Sequence, residues 1–225
     1  MSTATKRVLV VAPHPDDETL GCGGTIAKYA SQGHEVSVLV VSGHLPPLYK
    51  REAYETTVRE AQNAFAILGV AGSRFLEIPA TMIGSEPVHV VNQRIAEAIQ
   101  AVNPHIVLCP FPDRHIDHRL IFDSVMVATR PVGAARNIEM LAAYETLSET
   151  HWNAPHIEPA FGPNWVVDIS GFIEKKLQAL KCYESQIPVF PGARSIEAAD
   201  ALARFRGTQA GFGFGEGFQV IRLIG

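Results

Sequence analysis

Residues 7–18, RVLVVAPHPDDE, hold an apolar run from Arg7 to Val11 that stops at Ala12-Pro13 and passes at once into an imidazole and three carboxylates. A β-branched run with no polar alternation is the pattern of a strand buried on both faces of a parallel sheet. Working outward, residues 24–31 read as a helix closed by Gly33, and Glu35 to Val41 as a second apolar run. Strand, helix and strand in that order imply parallel pairing.

The order repeats more loosely. A helix from Arg51 to Leu68 stopped by Gly69, a strand at Arg74 to Ile78, a helix from Val88 to Val102 and a strand at His105 to Leu108 follow. Beyond Cys109 come a polar loop, a helix starting near Asp117, a strand at Met140 to Tyr144 and a loop from Glu149 to Asn164. The remainder reads as a strand at Trp165 to Ile169, helices at Gly171 to Tyr183 and Ser195 to Arg206, and a last strand at Phe218 to Leu223. Such alternation predicts an α/β fold, a three-layer sandwich with a mostly parallel, Rossmann-like sheet. Residues 207–217 (GTQAGFGFGEG) admit two readings, a flexible loop lining a site or a turn before the last strand.

Composition limits the function classes. With 225 residues, 47% of them hydrophobic and 19% charged, the chain can fill one domain spanning 1–225. Nineteen Lys and Arg against 23 Asp and Glu leave a net charge of −4, and no basic cluster suits nucleic-acid phosphates or an anionic membrane. The expected partner is a small molecule, with no nucleic acid and no membrane span; a homo-oligomer is compatible with the sequence. Cys22, Cys109 and Cys182 form no CxxC pair, and the apolar stretch after Lys6-Arg7 is too short for a signal segment. A cytoplasmic location is expected.

The chemistry gathers in two clusters, each at the carboxyl end of an expected parallel strand, where open α/β sheets bind ligands. In the first, 13–18, Asp17 or Thr19 could simply cap a helix, but Pro15 fixes the backbone in a way a cap does not require. In the second, Asp113 to His118 (DRHIDH), a capped helix with exposed histidines and a catalytic cluster are both open on that segment alone. Together His14, Asp17 and His118 form a two-imidazole, one-carboxylate set of the catalytic-zinc type, in which a zinc-bound water has its pKa lowered to about 7. Asp16 stands free beside it as general base, His115 is placed to stabilise an oxyanion or protonate a leaving amine, and Asp117 to orient an imidazole.

The PHPDDE run at 13–18 and the HIDH run at 115–118 resemble the two signatures of the LmbE/PIG-L zinc-dependent N-deacetylases. Further similarity lies in Arg59-Glu60-Ala61, in Tyr144 to Ser148 with Trp152, in Lys175 to Gln186, and from Arg206 through Glu216 to Phe218. The resemblance implies hydrolysis of an N-acetylated amino-sugar amide with Zn2+, ligands His14, Asp17 and His118, base Asp16, and His115 supported by Asp117. The chain departs from the family pattern at Asp113, where some members have Tyr, and at Thr57, where Arg is frequent.

His44, Tyr49 and Arg51 after the second strand, Trp152 in the long loop and Glu216 in the glycine-rich segment are candidate substrate contacts. Each also has a structural reading: Arg51 as a helix-face charge, Trp152 as packing, Glu216 as a partner of Arg206. Two other functions compete. The same three ligands suit ferrous iron in an oxygen-activating enzyme, and Gly21-Cys22-Gly23-Gly24 at a helix start could receive a nucleotide phosphate. The spacing fits neither GxGxxG nor a P-loop, and no GxSxG elbow is present.

Overall fold

Strands β1 (Arg7–Ala12), β2 (Glu35–Gly43), β3 (Gly72–Pro79), β4 (Ile106–Pro110), β5 (Met140–Tyr144), β6 (Trp165–Asp168) and β7 (Gly215–Leu223) form one sheet in the computed structural model, which describes residues 4–154 and 156–225. Between them lie helices α1 (Asp17–Ser31), α2 (Arg51–Leu68), α3 (Val88–Val102), α4 (Ile116–Ala128), α5 (Ile173–Leu180) and α6 (Ile196–Thr208). The strand order is β3-β2-β1-β4-β5-β7-β6. β1 to β5 pair in parallel, and β7 runs antiparallel between β5 and β6. The α/β class and the mostly parallel sheet expected from the sequence are present.

The absence of polar alternation in β1 is now explained. Val8, Val10 and Ala12 pack towards α1, α2 and α5, while Leu9 and Val11 pack towards α3 and α4. Each of these Val and Leu side chains contributes about 1.5–3 kcal/mol on burial. The order reverses at β1, with β2 on one side and β4 on the other, so the crevice at their carboxyl ends is the expected ligand position.

One expectation needs correction. The first helix starts at Asp17, not at residue 24, and is two helical pieces joined at Cys22, whose φ of −144° is non-helical. Glycine's low helix propensity hid the first piece. Those glycines answer to packing: a Cβ on Gly21 would stand 2.2 Å from the Tyr144 ring, and one on Gly24 2.7 Å from Ile169.

Of its two readings the glycine-rich segment follows the turn before the last strand, not the loop lining a site. Gly207 and Thr208 end α6, and Gly215 to Gly217 belong to β7. A Cβ on Gly215 would meet Val166 at 2.8 Å and the Gly207 nitrogen at 2.9 Å, so close packing accounts for it. No described helix is long and apolar enough to cross a membrane.

Candidate active site

β1 ends at Ala12 and the chain turns through His14 and Pro15 into Asp16, the N-cap of α1. Asp16 has φ 122°, rare for a side chain other than glycine and worth about 1–3 kcal/mol of strain. The turn is anchored from behind. Asp16 carbonyl oxygen accepts from the Thr19 and Leu20 amides at 3.0 and 2.8 Å, and its own amide donates to Glu18 Oε2 at 3.3 Å. Buried Glu18 in turn accepts from Tyr183 Oη at 2.5 Å and Thr19 Oγ1 at 2.6 Å.

The second cluster enters from β4. His115 caps α4, its Nδ1 accepting the Asp117 amide at 3.2 Å. That bond leaves the His115 proton on Nε2 in the neutral ring. Asp117 and His118, in the first turn of the helix, are fully buried.

The clusters meet on Asp17 Oδ2, which lies 3.0 Å from His14 Nδ1 and 3.4 Å from His118 Nε2. His14, Asp17 and His118 offer ligand atoms all within 4.8 Å of one another. His118 Nε2 is buried with no hydrogen-bond partner, which is how a ligand nitrogen is left when the group it serves is a metal. Each imidazole is held through its other nitrogen by a carboxylate: His14 Nε2 by Asp117 Oδ2 at 2.9 Å, His118 Nδ1 by Asp113 Oδ2 at 3.1 Å. This pairing fixes ring orientation in metal sites. The trio His14, His115 and Asp117 also converges, but Asp117 Oδ2 already accepts from His14 and from the Thr81 amide at 2.7 Å. The donor set His14, Asp17 and His118 therefore fits a divalent cation better.

Protonation in the metal-free cluster follows from these contacts. Burial works against charge on His14, but hydrogen bonds to Asp117 and Asp17 outweigh it and raise its pKa to about 9. At His118 burial is likewise overcome, by the charge of Asp17 and the bond to Asp113, and the pKa rises to about 10. Asp17 is held well below the carboxylate range because the two imidazoles overcome its burial. Asp16 goes the other way, pushed up by burial and by the Asp17 charge. His115 is lowered by burial and by the cationic His14 and His118.

The site opens into a cleft of about 190 Å³ bordered by Asp16, His115, His44, Tyr49, Glu149 and Arg194. A larger cavity of about 470 Å³ opens beside His89 and Arg130, away from this chemistry.

Of the expected substrate contacts, His44 and Tyr49 line the cleft, their rings 4.4 Å apart. Arg51 and Trp152 do not. Arg51 pairs with Glu77 at 2.9 Å on an exposed face, over the Tyr54 ring, and Trp152 is 59% exposed outside the cleft lining. Glu216 lies in the core, neither a substrate contact nor a partner of Arg206. It accepts from the Gly24 and Thr25 amides at 2.9 and 2.7 Å and from Lys176 Nζ at 2.6 Å. Arg206 instead makes a two-pronged pair with Glu145, both contacts 2.6 Å. Glu216 takes the amides of Gly24 and Thr25 just after the Cys22 kink, so a carboxylate of the chain itself stands where the phosphate considered for the glycine run would meet Gly24.

The support given by Asp117 also differs from expectation. Its carboxylate holds His14, and only its backbone amide holds His115. Asp113 supports His118 and the His115 amide, and accepts from Thr150 Oγ1 at 2.9 Å. Thr57 faces the interior of α2, donating to the Tyr54 carbonyl at 3.0 Å. Sequence reasoning passed over Glu149, Gln186 and Arg194, which reach the cleft only through tertiary folding.

The profile of a family described as PIG-L, GlcNAc-PI de-N-acetylase, matches residues 9–129. The 1D-myo-inositol 2-acetamido-2-deoxy-alpha-D-glucopyranoside deacetylase of Rhodococcus erythropolis is 29% identical over 91% of this chain and 89% of its own. Diacetylchitobiose deacetylase of Thermococcus kodakarensis is 29% identical over 96% of this chain and 83% of its own. Among solved structures, N,N'-diacetylchitobiose deacetylase from Pyrococcus horikoshii matches with a TM-score of 0.76 at 25% identity, over 97% of this chain and 84% of that one.

Proposed function

Since the chain belongs to the PIG-L de-N-acetylase family, whose profile covers more than half of it, we propose that residues 1–225 form a single metal-dependent amide hydrolase domain. It removes an acetyl or similar small acyl group from the nitrogen of an amino sugar or its conjugate. One observation carries the reading: Asp17 Oδ2 lies between His14 Nδ1 and His118 Nε2, with the unligated carboxylate of Asp16 beside them. The named relatives, deacetylases of acetamido sugars, support the substrate class.

His14, Asp17 and His118 would hold the metal, assigned as zinc. Zinc bound by two imidazoles and a carboxylate supplies a Lewis acid that polarises a carbonyl and makes water acidic enough to attack near neutral pH. The chain's own groups handle the protons. As water oxygen bonds to the acyl carbon, Asp16 takes its proton. His115, with its proton on Nε2, donates a hydrogen bond to the oxyanion that develops on the former carbonyl. When the carbon–nitrogen bond breaks, Asp16 returns the proton to the departing nitrogen, giving a carboxylic acid and an amine that leave as carboxylate and ammonium. Asp117 and Asp113 keep the two imidazoles in one orientation throughout.

The test is D16N, assayed for amine release on N-acetylated amino sugars, free and nucleotide-linked. Metal content should be unchanged and kcat should fall about 10²- to 10⁴-fold, the range of a lost general base. Near wild-type turnover would remove Asp16 from the role. Metal analysis of anaerobically purified protein, with reconstitution by zinc or ferrous iron, tests the metal, and activity only with iron would displace zinc.

A further inference from the structure

Arg194 is the only Lys or Arg among the described residues lining the cleft. Its Nη1 lies 3.2 Å from Asp16 Oδ2, and its guanidinium makes no other hydrogen bond among the described residues. The contact is lopsided in solvent exposure, with side chains 36% exposed at Arg194 and 2% at Asp16. Asp16 Oδ1 takes no hydrogen bond from the described chain, and Asp16 is among the residues lining the cleft.

The position is built into the fold. Arg194 immediately precedes Ser195, the N-cap of α6, whose Oγ accepts from the Ala198 amide at 3.2 Å. Behind it the chain is folded by successive turns, the Gly192 amide on the Val189 carbonyl and the Ser195 amide on the Gly192 carbonyl, both 2.9 Å. Ala199 of α6 shares an apolar cluster with Leu20 of α1, the helix that Asp16 caps. The two partners of the ion pair are thus rooted at the starts of two helices that share an apolar cluster with Leu180 of α5.

From this geometry we propose that Arg194 is a positioning residue for the hydrolytic base. It occupies Oδ2 of Asp16 and so turns Oδ1 towards the water to be deprotonated. The proposal rests on the amide-hydrolase reading above. A carboxylate turns about its side-chain bonds, and a donor held on one oxygen restricts that rotation. Arg194 does not exchange a proton in the reaction, since a guanidinium stays charged at any working pH.

The experiment compares R194A, R194K, D16N and the double variant D16N/R194A as metal-loaded full chains, on the N-acetylated sugar the wild type turns over fastest. R194A should lose about 10- to 100-fold in kcat, the scale of a misaligned reacting group, with KM and metal content little changed. Millimolar guanidinium should restore part of the loss, and R194K should fall between R194A and wild type. In the D16N background the second substitution should cost nothing more, because the two act as a unit. A kcat equal to wild type, a loss confined to KM, or losses that multiply in the double variant would overturn the proposal. A wild type inactive on every amide would instead defeat the hydrolase reading. The pair is then read from unfolding free energies of the same variants, and strict additivity there would also overturn it.

Discussion

His14 and His118 are each tied by a carboxylate, but along routes of different length. Asp117 reaches His14 from across the cleft, while Asp113 reaches His118 from five residues earlier in the same segment. Asp113 does more: it holds the amide of His115 and is itself held by Thr150, whose Oγ1 also accepts from the Thr146 amide at 2.9 Å. D113A should therefore weaken metal binding by about 10- to 100-fold, the usual cost of losing such a partner, with a smaller effect from T150A. Competition with a chromophoric chelator measures both, and unchanged affinity in D113A would refute the role. At this scale the convergence of His14, Asp17 and His118 was legible, because the first two follow the end of β1 by two and five positions and the third follows the end of β4 by eight. Arg194, Gln186 and Glu149 were not, since nothing local distinguishes an arginine before a helix cap from any other surface arginine.

At the scale of elements, α1 has to bring Asp17 to the cleft and still pack against the sheet. It does so by breaking at Cys22 and by presenting glycine where β5 and the chain after β6 press closest. A methyl group at residue 21 would overlap the Tyr144 ring, which is fixed by Oη donating to the Val11 carbonyl at 2.8 Å. G21A should cost about 1–3 kcal/mol, as overpacked cores do, and lower the melting temperature with the metal ligands untouched. A variant as stable as wild type would mean that α1 can shift. The same glycines account for the misplaced start of this helix in the sequence: propensity counts a glycine against a helix, whereas contact with a neighbouring ring is invisible until the fold is known. The helix closures at Gly33 and Gly69 were readable because a positive φ at a helix end has a local signature.

Across the whole molecule, the metal-free site is a bundle of charges held together by protons. His14 and His118, with pKa raised from 6.5 to about 9 and about 10, stabilise the fold fully below pH 6.5 and lose that contribution as pH rises through 9 and 10. A metal needs both rings neutral, so its affinity should strengthen over the same interval. The rise in melting temperature on adding zinc should therefore grow between pH 6 and pH 8, with protons released on binding. Titration calorimetry in buffers of different ionisation enthalpy counts those protons, and a zinc-induced shift independent of pH would contradict the picture. The parallel half of the sheet could be anticipated from alternating runs. The insertion of antiparallel β7 between β5 and β6 could not, because strand order depends on contacts between distant segments.

That insertion sets a timetable for synthesis. Among the described strands β6 pairs only with β7, and Glu216 of β7 is the carboxylate that closes the break in α1. While the chain is still being made, the helix bearing Asp17 leaves the ribosome early but lacks its internal brace until the last strand emerges. The segment bearing Asp17 is thus made well before the strand that braces its helix, and a nascent chain stopped before residue 215 carries both signatures, on the paired strands β1 and β4, without the Glu216 brace on α1.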